Sequence, residues 1–549
     1  MTDSNLTFQS SNALYIIKYT TINNTKLSLK EDAFDAMVVL HSYEDYGSIV
    51  FDSPIISIKE FAFYEELNLI SVEIPDSVEF IEKGAFANCS NLTKIAFSRN
   101  LSSIGYGAFH KCEKLSNLFI PNSVSSIRDW AFSYCRNLTD ITIPNSVTFV
   151  GMGAFAECSN LTKVIISDNI SSLESGVFYK CENLVGVEIP NGITSIGESV
   201  FEGCVLMTNV TIPDSTTSIG NSAFRDCSSL TSITIPKGVA SIGESAFYRC
   251  RNISSIEIPN SVTHIGESAF GGCKGELVVD SKIIEENYGI EDDTPNWLVG
   301  FTVTKLTIGN SVSSIGSWLF HRSYYLSSVK IGNTVTSIGE GAFEGCGRLS
   351  DVTIPNSVVE IGDSAFYACR SLESIIIPNS VIDIGGGAFS SCENLSSFSG
   401  KYASSDNRCL IVDGELKCFA EKDLIEYTIP QNVNTIDQAA FHNCKSLVNI
   451  TIPENVALVK HWAFVGCGRL KNIIFNNKSI VLEEDAFFNC DSIVTDSKVQ
   501  IDAHTIVKVQ EDEYFDSEGY LARQEQEQDI QNSYMDAFEG EPDAEWNIY

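Results

Sequence analysis

Nowhere does the chain run apolar for 18 residues, the least a membrane-crossing helix needs, so no transmembrane segment is expected. Its first residues, MTDSNLTFQSS, carry no basic stretch followed by an apolar core, and no secretory signal peptide is expected there. Basic residues are scarce. Lys and Arg number 36 against 71 Asp and Glu, a formal net charge of -35. That balance excludes nucleic acid, which is gripped through basic contacts to phosphate, and weighs against an anionic membrane surface. It reads as a solvated acidic shell that keeps a long molecule soluble.

Catalytic signatures are missing too. There is no Walker-type loop, no GxSxG elbow and no HExxH. His41, His110, His264, His321, His442, His461 and His504 are scattered, and none is spaced with Cys or a carboxylate as metal ligands are. Glu291-Asp292-Asp293 reads as a solvated loop rather than a calcium site. The sequence therefore predicts no catalytic residue, no cofactor and no metal, and a protein that is not an enzyme.

What the chain does have is a period. Phe63, Phe86, Phe109, Phe132, Phe155, Phe178, Phe201, Phe224, Phe247 and Phe270 stand 23 residues apart. Phe320, Phe343, Phe366 and Phe389 keep the step, and so do Phe441, Phe464 and Phe487. A fixed period of this length is the mark of a solenoid. Trp297, 23 residues before Phe320, is expected in the aromatic slot of the interrupted coil, and Cys418, 23 before Phe441, in the other. Stacked at about 4.8 Å per coil, such a rod is about 90 Å long.

The coil from Phe132 to Phe155 shows the pattern. Asp140–Ile143, DITI, alternates polar and apolar residues and predicts a short strand with one buried face. Pro144 cannot donate a ladder hydrogen bond and ends it. Val147–Val150 predicts a second extended piece. AFSYC is too short for an α-helix and predicts a tight turn. No coil can bury its apolar set alone, so burial comes from stacking.

The repeated form AFxxCxxLxxIxIPxSVxxIGxxAF, from about Ile58 to Cys490, closely resembles the BspA-like leucine-rich repeat family of surface antigens. The resemblance implies a β-rich, right-handed solenoid, curved, with a parallel sheet on its concave face and little α-helix. It also implies adhesion and protein binding, with host or extracellular matrix proteins as ligands, at the cell surface or in secreted form. An intracellular scaffold in the cytoplasm is the alternative, favoured by the thiol-rich repeat and the absent signal. An enzyme is the remote third.

Fifteen of the 17 Cys fall at one coil position, three residues after the aromatic slot. Zinc ligands come in close spacings such as CxxC, so these predict a ladder of buried free thiols. Gly105, Gly151, Gly197 and Gly243 read as turn residues rather than a phosphate cradle. The informative surface is the outward position of each strand. The candidate binding strip is Phe119, Thr142, Ile165, Glu188, Thr211, Thr234, Glu257, Thr353 and Ile376, continued by Ala96, Thr307, Lys330, Thr428, Thr451 and Ile474. Thr dominates it, which suits a parallel stack.

Three domains are expected. Residues 1–56 form an N-terminal cap, with a hairpin around Asn23-Asn24 and an irregular first coil at Phe34. Residues 57–497 form the solenoid, with inserts near 274–296, read as a loop that bulges out, and 400–417. Residues 498–549 are a cap remnant and an acidic, disordered tail: from Glu511 onward there are 13 acidic residues and one basic residue, Arg523. Asp413-Gly414 predicts a hairpin turn. A regular register about it would set Cys409 opposite Cys418, close enough for a disulfide.

Overall fold

The computed structural model describes residues 15–490 other than 31, 117 and 289–294, together with 494–495. These residues form a β-solenoid of stacked coils with parallel sheets. Each regular coil lays down a short strand on one side and a two-residue strand on a second. In the coil from Phe132 to Phe155 these are Asp140–Thr142 and Phe149–Val150. The first pairs in parallel with Lys163–Ile165, Ile141 meeting Val164. The second pairs with Ser126–Ile127. Ile141, Ile143, Val147 and Val150 are buried, as the alternation requires. The only helical elements among the described residues are two 3-10 turns, Lys282–Glu285 and Asn296–Leu298.

The turn around each Phe cannot become a helix. Every second backbone N–H of the turn bonds to the neighbouring coil, as the Phe247 N–H does to the Ala269 carbonyl at 2.7 Å, while those between close tight turns, Tyr248 N–H to the Ser245 carbonyl at 3.0 Å. Ser245 and Arg249 on either side of Phe247 sit at φ 53° and 59°, a left-handed conformation that a right-handed helix cannot include. The rings from Phe63 to Phe270 form a nearly parallel stack, with centroids 4.9 to 5.9 Å apart and interplanar angles of 1° to 19°. At its start, Phe34 meets Phe63 edge-on at 5.8 Å.

The glycines that follow the second strand do a different job from the one expected. Gly243 has no left-handed φ. A Cβ there would lie 2.4 Å from the Asn221 nitrogen and 2.6 Å from the Gly220 carbonyl carbon. Close approach of coil to coil, not dihedral freedom, selects glycine along the run Gly197, Gly220, Gly243 and Gly266. Gly107 is the converse: its φ is +55°, yet a Cβ would meet nothing nearer than His110 Cβ at 3.7 Å. Gly243→Ala is therefore expected to cost about 2 kcal/mol by overpacking, and Gly107→Ala about 1 kcal/mol by backbone strain. Urea denaturation of both variants checks the order; a larger loss for Gly107→Ala would contradict it.

At the N-terminal end, Ile16–Thr21 does not fold back on itself at Asn23-Asn24. It runs antiparallel between Gly47–Phe51 and Leu69–Glu73. Apolar Ile17 and Tyr19 are buried, and this placement covers the otherwise open edge of the first coil. The hairpin at this end is instead Val38–Tyr43 with Gly47–Phe51.

The described residues of the first interruption open with a strand rather than a loop. Lys274–Val279 is a strand within the ladder, Leu277 lying between Ile256 and Leu306. Ile284 is fully buried, and its carbonyl accepts the Gly316 N–H at 2.8 Å. The Ser268 N–H donates to the Asn296 carbonyl at 2.7 Å. Lys274–Val279 is held in the stack by the burial of Leu277 and Val279. Leu306 and Ile308 take their expected inward strand positions. Trp297 is buried, but the ring beside Phe270 is Phe301, 6.0 Å away and tilted by 44°.

The second interruption does contain a hairpin turning at Asp413-Gly414, Cys409–Val412 against Glu415–Phe419. Its register is not regular. Ile411 faces Leu416, but Leu410 faces Cys418 and Cys409 faces Phe419, because Lys417 is bulged out. The direct pairing of Cys409 with Cys418 is thereby overturned. The cause is that the hairpin is a wedge with two dry faces. Leu410, Val412 and Cys418 pack into one core cluster, and Cys409, Leu416 and Phe419 into another. The bulge buries two consecutive residues, Cys418 and Phe419, and releases Lys417 to Asp437 at 2.7 Å. Both thiols are free. The ring beside Phe441 is Phe419, 4.7 Å away, one residue on from the slot expected for Cys418.

The acidic cluster 291–293 and the tail 498–549 lie outside the described residues.

Candidate binding face

Strand alternation turns every second side chain to water. All nine candidate residues from Phe119 to Ile376 are exposed. The ladder does not bring them into one unbroken row. Thr142, Ile165, Glu188 and Thr211 lie on successive strands of one sheet. Glu257 and Thr353 belong to another, with Val278, Thr307 and Lys330 between them. Ile376 lies on a third. Phe119 and Thr234 are exposed in coils where the ladder lapses. Val278 escaped the sequence reading because its segment looked like a bulging loop; the alternation in ELVVD was the available signal.

Some charges on this face meet an opposite charge or a hydroxyl on the next strand, while Glu188 and Glu257 stand opposite the uncharged Thr211 and Val278. Asp140 stands opposite Lys163. Lys305 reaches Glu276 at 2.8 Å, and the Glu276 carboxylate raises the Lys305 pKa. The Ser328 hydroxyl donates to Asp351 at 2.9 Å. Glu276, Lys305, Ser328, Lys330 and Asp351 line a shallow, open depression. Among these residues the apolar side chains stand out: Phe119 is 76% exposed, Ile376 66% and Ile165 49%.

Behind the face the thiols form a ladder with a job that composition did not reveal. Every Cys at this coil position except Cys444 donates its S–H to the carbonyl of the Phe 26 residues earlier, Cys112 to Phe86 at 3.1 Å and Cys250 to Phe224 at 3.1 Å. The Phe86 carbonyl already accepts the Cys89 N–H at 3.2 Å, so the thiol fills the second acceptor site of a buried carbonyl. Burial pushes the Cys89 thiol up to about 12 and the Cys112 thiol well above its ordinary value. The reactive thiolate is thus scarce. Among the described residues no three His, Cys, Asp or Glu side chains gather as metal ligands would.

The family model described as BspA type leucine rich repeat region, 6 copies, matches residues 40–161, 148–276, 299–405 and 415–541. No curated protein matches the chain. Among solved structures, a leucine-rich repeat protein from Bacteroides ovatus is 25% identical over 78% of this chain and 93% of its own, with a TM-score of 0.41. A leucine rich cell surface protein from Faecalibacterium prausnitzii is 24% identical over 82% of this chain and 96% of its own, with a TM-score of 0.30. A leucine-rich repeat protein from Eubacterium ventriosum is 21% identical over 57% of this chain and 86% of its own, with a TM-score of 0.32.

Proposed function

The chain belongs to the BspA-type leucine-rich repeat family, and from that membership we propose that it is a non-catalytic, adhesin-like surface protein that binds protein ligands through its strand face. One observation carries the reading: along the outward side chains of the strands, Phe119, Ile165 and Ile376 project into water. An apolar anchor on a rigid strand needs little ordering when a partner covers it. The shallow depression at Glu276 and Lys305 suits a broad protein contact better than a small molecule, which needs a concave pocket. The thiol ladder is compatible with an oxidising exterior, since buried thiols above their ordinary pKa react slowly.

Phe119→Glu combined with Ile165→Glu is expected to weaken binding of the protein's ligand or adherence to host matrix by tenfold or more, about 1.4 kcal/mol. The fold should stay intact, because both side chains face water. Unchanged adherence by a correctly folded double variant would move the contact surface off this face.

A further inference from the structure

A second surface stands out from the chain's overall charge. Residues 83–139 hold seven basic and two acidic residues, in a protein whose formal net charge is -35. Five of the cations lie on the turn edge of the coils carrying Phe86, Phe109 and Phe132: Lys83, Lys111, Lys114, Arg128 and Arg136. All five are exposed. All but Lys114 are arranged over aromatic rings. Lys83 sits 5.8 Å from the centre of the Phe61 ring and 5.7 Å from that of Tyr106. Lys111 and Arg136, from neighbouring coils, share the Tyr134 ring at 5.7 and 5.6 Å. Arg128 lies 5.6 Å from the Phe149 ring.

None of these five cations has a carboxylate within ion-pair distance among the described residues, whereas cations further along the same edge do. Lys180 pairs with Glu157 at 3.8 Å, Arg225 with Asp226 at 3.5 Å and Arg249 with Asp226 at 3.9 Å. Of the two acidic residues inside the stretch, Asp129 is occupied: its carboxylate accepts the Met152 N–H at 3.0 Å. Lys114 donates only to the neutral Asn91, at 2.6 Å. The aromatic rings hold the cations in place without cancelling their charge, so the order needed to receive an anion is already present.

We propose that this turn edge, from Lys83 to Arg136, is a second contact surface that takes an acidic polypeptide segment of a partner protein. It is separate from the strand face and does not depend on it. The remainder of the molecule is strongly acidic and repels a long polyanion beyond the patch. The surface therefore suits a short, flexible acidic stretch rather than a rigid nucleic-acid duplex, whose grip needs an extended basic footprint. The exposed Tyr106 offers apolar contact to side chains interspersed with the acids.

The probe is a fluorescent oligo-glutamate peptide carrying two Leu, titrated into the full chain. Binding is expected at about 0.01 M salt and should fade towards about 0.15 M, as the screening length falls from about 30 to about 8 Å. Replacing Lys83, Lys111, Arg128 and Arg136 by Glu should weaken it on the order of tenfold or more. The same residues changed to Gln should give a smaller loss, which separates charge from misfolding. Reversing the paired Arg225 and Arg249 should leave affinity as it was. Absence of binding at low salt overturns the proposal, as does equal binding by the four-Glu variant. Capture of a sulfated oligosaccharide by the same four cations, with none of the peptide, also overturns it and makes the partner an acidic glycan.

Discussion

Phe247→Ala should lower unfolding stability by about 3–5 kcal/mol, the range for truncating a fully buried aromatic. Phe247 is completely buried, its ring 5.3 Å from Phe224 at 1° and 5.6 Å from Phe270 at 5°. Removing it opens a void that both neighbours line. The site cannot collapse easily, because the Phe247 N–H is fixed to the Ala269 carbonyl and its own carbonyl accepts the Cys273 thiol at 3.3 Å. In a stack, stability is nearly a sum over coils and their interfaces, so the loss falls on the coils around Phe247. Hydrogen exchange resolved along the chain reads it there, where a single global midpoint would blur it. Phe119→Ala is the matched control, the same residue type at 76% exposure, and should change stability by no more than about 0.5 kcal/mol. A loss below about 1 kcal/mol at Phe247 would mean that the stack relaxes around the void.

The slot of Phe247 was legible because the period repeats one physical demand many times. A ring, a thiol three residues later and an alternating strand define which way each side chain points, and one regular coil decides the others. The outward candidates followed from the same alternation: the nine from Phe119 to Ile376 are exposed, while Thr307 and Thr451 are half-buried. The errors cluster where the period breaks. Around Lys274–Val279 the residues kept the alternation of a strand but lost the 23-residue step, and a count by period assigned them to a loop. At the hairpin, the Asp413-Gly414 turn was readable from local chemistry. The bulge at Lys417 was not, because it answers to Asp437, which a later coil brings into reach. The basic edge from Lys83 to Arg136 was hidden for a related reason. A net charge sums over the whole chain, while pairing of each cation depends on which residue the neighbouring coil supplies.

Asp437 provides the second large effect, since it holds the hairpin to the coils that follow. Its carboxylate is nearly buried and accepts from Lys417 and Lys460, both at 2.7 Å. Glu415 completes the cluster, 2.9 Å from Lys417 and 3.5 Å from Lys460. Burial alone would raise the Asp437 pKa, but hydrogen bonds from the two ammonium groups hold it below the usual carboxylate range. Asp437→Ala leaves Lys417, only 15% exposed, with a single anion. Breaking a buried pair costs about 3–5 kcal/mol, and the partial exposure of Lys460 and Glu415 places this case near the lower end. Losing the exposed pair of Arg99 and Asp76 should cost no more than about 1 kcal/mol. The pH dependence has a definite sign. A carboxyl whose folded pKa is depressed stabilises the fold above its unfolded value, about 3.9, and loses that contribution as pH falls through the folded one. Wild-type protein should therefore lose stability below about pH 4 more steeply than Asp437→Ala. The measurement is urea denaturation at a series of pH values, with fluorescence of Trp462, whose coil follows that of Asp437, as a nearby reporter. Superimposable acid limbs for the two proteins would remove Asp437 as the clamp and leave the apolar faces of the wedge to hold the hairpin on their own.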